Sequence, residues 1–395
     1  MSDEFDRIKR LPPYVFAEVN RLKAELRAKG KDIIDFGMGN PDMATPKHIR
    51  EKLIETVERP GTGRYSTSRG IPGLRAAQVK YYKRRFDVDL DAENEVVVTL
   101  GSKEGLANLA QAITSPGDII LSPNPSYPIH PYGFIIAGAS LRHLPAMDDG
   151  IFNPDLYLER LERSIRDSVP APVALIVSFP SNPTAQVASI DFYKEVVKIA
   201  IKYGTYILSD LAYAEIYYDG NPPPSILQVP RAKEVAVEFT SMSKTYAMAG
   251  WRIGFAVGNK KLISALTRIK SYLDYGAFTP VQVAAAAALN GPQDCVKEIR
   301  DIYQKRRDVL INSMSRAGWD IPSPPASMFA WAPLPKKFVK EGSLNFAKEL
   351  MLKADVAVAP GVAFGEYGEG FVRVGLVENE QRIRQAAKNI KKLLA

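Results

Sequence analysis

Two hydroxyls, an amine and a guanidinium crowd into one stretch, Thr240-Ser241-Met242-Ser243-Lys244-Thr245-Tyr246-Ala247-Met248-Ala249-Gly250-Trp251-Arg252-Ile253-Gly254. The order is Ser-x-Ser-Lys, seven residues, then Arg-x-Gly. Hydroxyls and an arginine fork suit a phosphate, and a lysine amine condenses with an aldehyde to a Schiff base. A ligand that carries both an aldehyde and a phosphate is pyridoxal 5′-phosphate. Taken alone, Ser-x-Ser-Lys fits any loop between a strand and a helix, with its lysine in water. The Gly-x-Arg-x-Gly that follows, together with partners upstream, points instead to a cofactor held by Ser241, Ser243, Lys244 and Arg252.

Those partners begin with Asp210, which ends an apolar run in Ile207-Leu208-Ser209-Asp210-Leu211-Ala212-Tyr213. A carboxylate against a pyridine nitrogen keeps the ring protonated and strengthens its pull on electrons. Tyr213, three residues on, can donate its phenol to the ring oxygen. Asp210 would otherwise serve as a helix N-cap. Asn182 stands in the turn Pro180-Ser181-Asn182-Pro183-Thr184. Gly101-Ser102-Lys103-Glu104-Gly105 opens a helix-like run, and free N–H groups at a helix start attract phosphate.

The elements that must position these residues are apolar runs alternating with helical patterns. Glu95–Thr99, Asp118–Leu121, Ala174–Val177, Tyr206–Leu208, Val235–Phe239 and Gly254–Gly258 read as strands. Their unbroken apolar character predicts burial on both faces, hence a largely parallel sheet covered by helices. Ligands of such sheets gather beyond the carboxyl ends of the strands, which would bring Asn182, Asp210 and Lys244 to one edge. After about residue 290 the pattern changes to charged helices near 293–317 and 380–394, with short strands at Met328–Trp331 and Phe371–Val374. This predicts a smaller α+β part.

Composition narrows the function classes. The 395 residues are 46% hydrophobic and 24% charged, as expected of a soluble globular chain with room for two domains. The acidic start, Met1-Ser2-Asp3-Glu4, is unlike a signal peptide, and no apolar run approaches a membrane span. The single cysteine, Cys295, agrees with a cytoplasmic address. The three histidines, His48, His130 and His143, lack ligand spacing, so no metal is expected. The net charge of +8 comes in short groups such as Lys83-Arg84-Arg85, which read as solvated helix faces and not as a nucleic-acid surface.

With these residues in place, nearly the whole chain resembles the class I aminotransferases of the fold type I pyridoxal-phosphate enzymes. It is most similar to bacterial alanine (glutamate–pyruvate) aminotransferases, with diaminopimelate aminotransferases close behind. The resemblance implies an α/β fold with a large cofactor domain over 46–290, a small α+β domain over 291–395, and residues 1–45 joining the latter. It implies that Lys244, Asp210 and Tyr213 are catalytic. Ser102 and Lys103 would clamp phosphate through their backbone, Tyr127 would stack on the ring, and Asn182 would reach the ring oxygen and the substrate carboxylate. Tyr65, in Arg64-Tyr65-Ser66, would reach the phosphate of a neighbouring subunit, making a homodimer with shared sites. Arg373, in Phe371-Val372-Arg373-Val374-Gly375, would grip the α-carboxylate beside Gly39 and Tyr14. For a second, distal carboxylate the candidates are the side chains of Lys103 and Arg69.

The expected reaction is transfer of an amino group between an L-amino acid and a 2-oxo acid, foremost alanine plus 2-oxoglutarate to pyruvate plus glutamate. Aspartate, methionine or aromatic, and diaminopimelate specificity are the nearer alternatives, and a β-lyase the further one. A cofactor-binding sensor fused to a DNA-binding module would need an added helix-turn-helix domain, which the sequence does not show.

Overall fold

The computed structural model describes residues 5–13, 15–148 and 150–394. Its centre is a seven-stranded sheet. In chain order the strands are β1 (Val96–Thr99), β2 (Ile119–Asn124), β3 (Ser140–Pro145), β4 (Ala174–Ser178), β5 (Tyr206–Asp210), β6 (Ala236–Ser241) and β7 (Gly254–Gly258). In space they run β1-β7-β6-β5-β4-β2-β3. Every pairing is parallel except the two made by β7, which lies antiparallel between β1 and β6. The expected parallel α/β sheet is present, with this one reversed strand inside it.

The unbroken apolar runs are explained by a division of labour at period two. Val96, Val98, Leu175, Val177 and Ile207 enter one core, closed by helices Pro72–Phe86, Pro154–Arg166, Ile190–Tyr203 and Thr279–Asn290. Val97, Ala174, Ile176, Leu208 and Val237 enter another, closed by Ser102–Ile113, Ile129–Ala137 and Lys260–Leu273. Neither face of the central strands meets water, so neither needs a polar residue. Each buried Val or Leu contributes roughly 1.5–3 kcal/mol, so the two layers fix the sheet's position firmly.

A third core lies in the C-terminal part. There β8 (Phe329–Pro333), β9 (Ala359–Pro360) and β10 (Phe371–Gly375) form an antiparallel sheet with β10 in the middle. Helices Asp294–Arg316, Gly342–Ala354 and Glu380–Leu394 cover it through Leu310, Met314, Phe346, Leu350, Ile383 and Ile390. The N-terminal chain joins this part: Ile34–Asp35 pairs in parallel with Val356–Ala357, and helix Val15–Ala28 sets Val19 and Leu26 against Met351 and Ala357. Tyr213, Ile216 and Tyr218, from the turn after β5, enter the same core and link it to the large sheet.

Candidate active site

Strand direction and register build the site. Asp210 is the last residue of β5 and Ser241 the last of β6, while Asn182 follows four residues past the end of β4 at Ser178. Because these strands are parallel, all three open on one sheet edge. The reversed strand adds the rest: Gly254, the first residue of β7, sits opposite both Thr99 of β1 and Ser241 of β6. That single register aligns Leu100–Ser102, Ser241–Lys244 and Arg252 as neighbours. The approach is close enough to demand glycine. A Cβ on Gly254 would lie 2.7 Å from the Ser102 amide nitrogen, and one on Gly101, whose φ is +84°, would lie 2.4 Å from Arg252 Nη2.

Around this cradle the donors are arranged. Ser241 Oγ accepts the Ser243 N–H at 3.1 Å, and Arg252 donates to Ala249 O at 2.7 Å and Leu100 O at 3.1 Å. Lys244 donates from Nζ to Gly39 O at 2.6 Å. Burial, with the positive charges of Arg373 and Arg252, pulls its ammonium down to about 8. The Gly39 segment is held from behind, since Arg306 forks onto Asp42 with two contacts of 2.7 Å.

On the opposite wall, Asp210 Oδ2 meets His130 Nε2 at 2.9 Å, while its buried Oδ1 has no hydrogen-bond partner among the described residues. No helix follows Asp210, so it caps none. Burial drives the Tyr213 phenol well above its ordinary range, partly opposed by Arg373. Arg373 donates to Asn182 Oδ1 at 2.7 Å and Gly37 O at 3.1 Å, with its guanidinium 4.0 Å from the Phe329 ring centre. Lys103 Nζ stands 6.0 Å from the Tyr127 ring centre.

The residues enclose a cavity of about 700 Å³, lined by Gly39, Ser102, Lys103, Tyr127, Asn182, Asp210, Tyr213, Ser241, Ser243, Lys244, Arg252 and Arg373. Two sequence candidates lie apart from it. Tyr65 is 84% exposed with its ring centre 4.6 Å from that of Tyr275, tilted by 34°, and Arg69 is paired with Glu93 at 3.2 Å. Tyr14 lies outside the described residues. Two further residues at the site, His130 and Phe329, are not singled out by motif spacing, although the position of His130 three residues after Tyr127 at a helix start is a usable signal.

Comparison with known proteins shows the family of the chain. Residues 31–390 match the family model "Aminotransferase class I and II". The chain belongs to that family. It is 56% identical to the glutamate–pyruvate aminotransferase AlaC of Escherichia coli (strain K12), over 98% of this chain and 93% of that one. It is 41% identical to an LL-diaminopimelate aminotransferase of Moorella thermoacetica, over 99% and 98%. Among solved structures, a single mutant of Thermus thermophilus aspartate aminotransferase superposes with a TM-score of 0.91 at 28% identity, over all of both chains. The fold is therefore that of the fold type I enzymes, and the aminotransferase uses pyridoxal 5′-phosphate. The chain's own atoms fit that cofactor: the bare Asp210 Oδ1 is an acceptor that a pyridinium N–H would satisfy, and the Gly101–Gly254 cradle is lined with N–H and hydroxyl donors.

Proposed function

We propose that this aminotransferase interconverts alanine plus 2-oxoglutarate with pyruvate plus glutamate, in two half-reactions at one site. The 56% identity to a glutamate–pyruvate aminotransferase along almost the entire chain is the observation that carries this reading. Lys103 is consistent with it: a cation that reaches the cavity without being committed to a buried carboxylate can meet a five-carbon dicarboxylate and turn to water when alanine is bound.

Bound cofactor supplies an aldehyde and an electron-withdrawing ring. The side chains divide the remaining work. Ser102, Ser241, Ser243 and Arg252 would hold the phosphate, with the backbone of Lys103. Asp210 would keep a proton on the ring nitrogen, with His130 Nε2 at 2.9 Å keeping that carboxylate aimed. Tyr127 would cover the ring, while Tyr213 and Asn182 would address its oxygen. Arg373, already oriented by Asn182 and Gly37, takes the substrate α-carboxylate beside Gly39. Lys244, whose proton burial and two arginines loosen to about 8, is the amine that would meet the aldehyde and move the proton at the substrate Cα. The same reading places Tyr65 in the partner's site of a homodimer and divides the chain at 1–45, 46–290 and 291–395. It gives the enzyme a cytoplasmic address; no helix of the described residues is long and apolar enough to cross a membrane.

A panel of amino donors and 2-oxo acceptors, scored by keto-acid release, tests the proposal. Alanine and glutamate should lead in kcat/KM. A clear preference for aspartate or diaminopimelate would replace the alanine assignment, and release of a β-leaving group without a pyridoxamine product would mark a lyase.

A further inference from the structure

We infer that Lys270 is a positioning residue for the phosphate-binding turn, there to cancel a carboxylate that the turn requires. The inference rests on the reading that Leu100–Ser102 and Arg252 hold the cofactor phosphate. Lys270 lies in helix Lys260–Leu273 with its side chain 0% exposed. Its Nζ is 2.9 Å from Glu104 Oε1 and 2.9 Å from Asp274 Oδ2. Burying an ammonium is costly, and an apolar side chain would pack at such a place more cheaply. The charge itself must therefore be needed.

Glu104 supplies the reason. It sits in the first turn of helix Ser102–Ile113 and accepts the Leu100 N–H at 2.8 Å, while Arg252 holds the Leu100 carbonyl at 3.1 Å. Leu100 is thus gripped from both sides, and the turn into Gly101 and Ser102 is fixed. The same carboxylate puts a negative charge beside the amides that must receive a phosphate. Lys270 offsets that charge from behind the helix without occupying the site. Its second partner extends the link: Asp274 Oδ1 accepts the Gly276 N–H at 2.6 Å, and the Asp274 carbonyl accepts the Ser68 hydroxyl. Between Asp274 and Gly276 lies Tyr275, whose ring meets that of Tyr65 at 4.6 Å. One buried ammonium joins the phosphate turn to the segment that carries Tyr65.

The test is a titration of the cofactor-stripped full-length protein with pyridoxal 5′-phosphate and with pyridoxal, which lacks the phosphate, followed by intrinsic fluorescence. Lys270→Met should reduce the preference for the phosphorylated ligand about ten-fold or more, while pyridoxal affinity stays within about three-fold. Lys270→Met combined with Glu104→Gln should bring the preference back to within about three-fold of wild type, since glutamine still accepts the Leu100 N–H. A folded Lys270→Met protein with unchanged preference overturns the inference, as does a loss that Glu104→Gln does not restore, because the Glu104 charge would then not be its cause. Should the single variant fail to fold, the double variant decides: a retained preference is expected, and a lost one overturns the inference. Wild-type protein with no preference for the phosphorylated ligand would instead bring down the phosphate-site reading beneath it.

Discussion

At the scale of single residues, the site separates what every substrate shares from what only some carry. Arg373 is buried, held by Asn182 and Gly37, and backed by Phe329, which in the proposed reading prepares it for a planar α-carboxylate. Arg373→Ala should lower kcat/KM for alanine, pyruvate, glutamate and 2-oxoglutarate alike, by on the order of 2–5 kcal/mol of a lost charged pair. Lys103→Ala removes a side chain and spares a backbone N–H. It should raise KM for the two dicarboxylates selectively, and an equal effect on all four would assign the distal carboxylate to another group. Lys244 makes a prediction in pH. Its folded value of about 8 lies below the ordinary lysine value, so the folded state sheds the proton first as pH rises. Cofactor uptake by the stripped protein, followed by visible absorbance, should therefore accelerate through about pH 8 and then level off. By the same linkage this lysine lowers the stability of the stripped protein most below pH 8, and its penalty fades as pH rises toward the ordinary lysine value. Lys244→Ala should abolish the visible band and nearly all turnover while keeping affinity for the phosphate; a normal band in that variant would refute its assignment.

Elements bring these residues together, and one register matters most. Gly254 faces Thr99 on one side and Ser241 on the other, with no space for a methyl group. Gly254→Ala should push the Ser102 amide away, costing about 1–3 kcal/mol of stability from overpacking and weakening cofactor binding as well. Thermal melts with and without cofactor measure both effects, and a larger loss in the holoenzyme than in the stripped protein is the expected pattern. An unchanged melting temperature would mean that β7 shifts to absorb the methyl. How much of this was legible beforehand follows the range of the forces. The Lys244 cluster was readable because its groups lie within a few residues, and Asp210 because a strand end precedes it. Their contact partners were not. His130 reaches Asp210 across 80 positions and Phe329 reaches Arg373 from the adjacent strand of the small sheet, and neither spacing nor composition encodes such pairings. The reversal of β7 was hidden too, because a strand buried on both faces looks equally apolar in either direction.

For the whole molecule the telling residue is Tyr65, because it faces outward. Its ring meets that of Tyr275 at 34° and is 84% exposed, and Tyr272, Leu273 and Phe278 of the segment that carries Tyr275 are exposed too. Exposed apolar side chains of this kind suit a second copy of the chain, in keeping with the proposed dimer. Mixing inactive Tyr65→Ala with inactive Lys244→Ala subunits should then restore part of the activity, because one site of each hybrid is intact. Demonstrated subunit exchange with no recovery would argue for self-contained sites. The cradle has a consequence at this scale as well. Its donors come from the turn after β1, the end of β6 and the chain entering β7, so the segments it unites stand about 140 residues apart along the sequence. β1 is an edge strand whose only strand partner among the described residues is β7. A phosphate seated there would act as a removable staple across the margin of the sheet. It would close a long loop without a covalent bond and confer its stability by mass action. Supply of a vitamin-derived cofactor would thus govern how long the folded chain survives, as well as how fast it works.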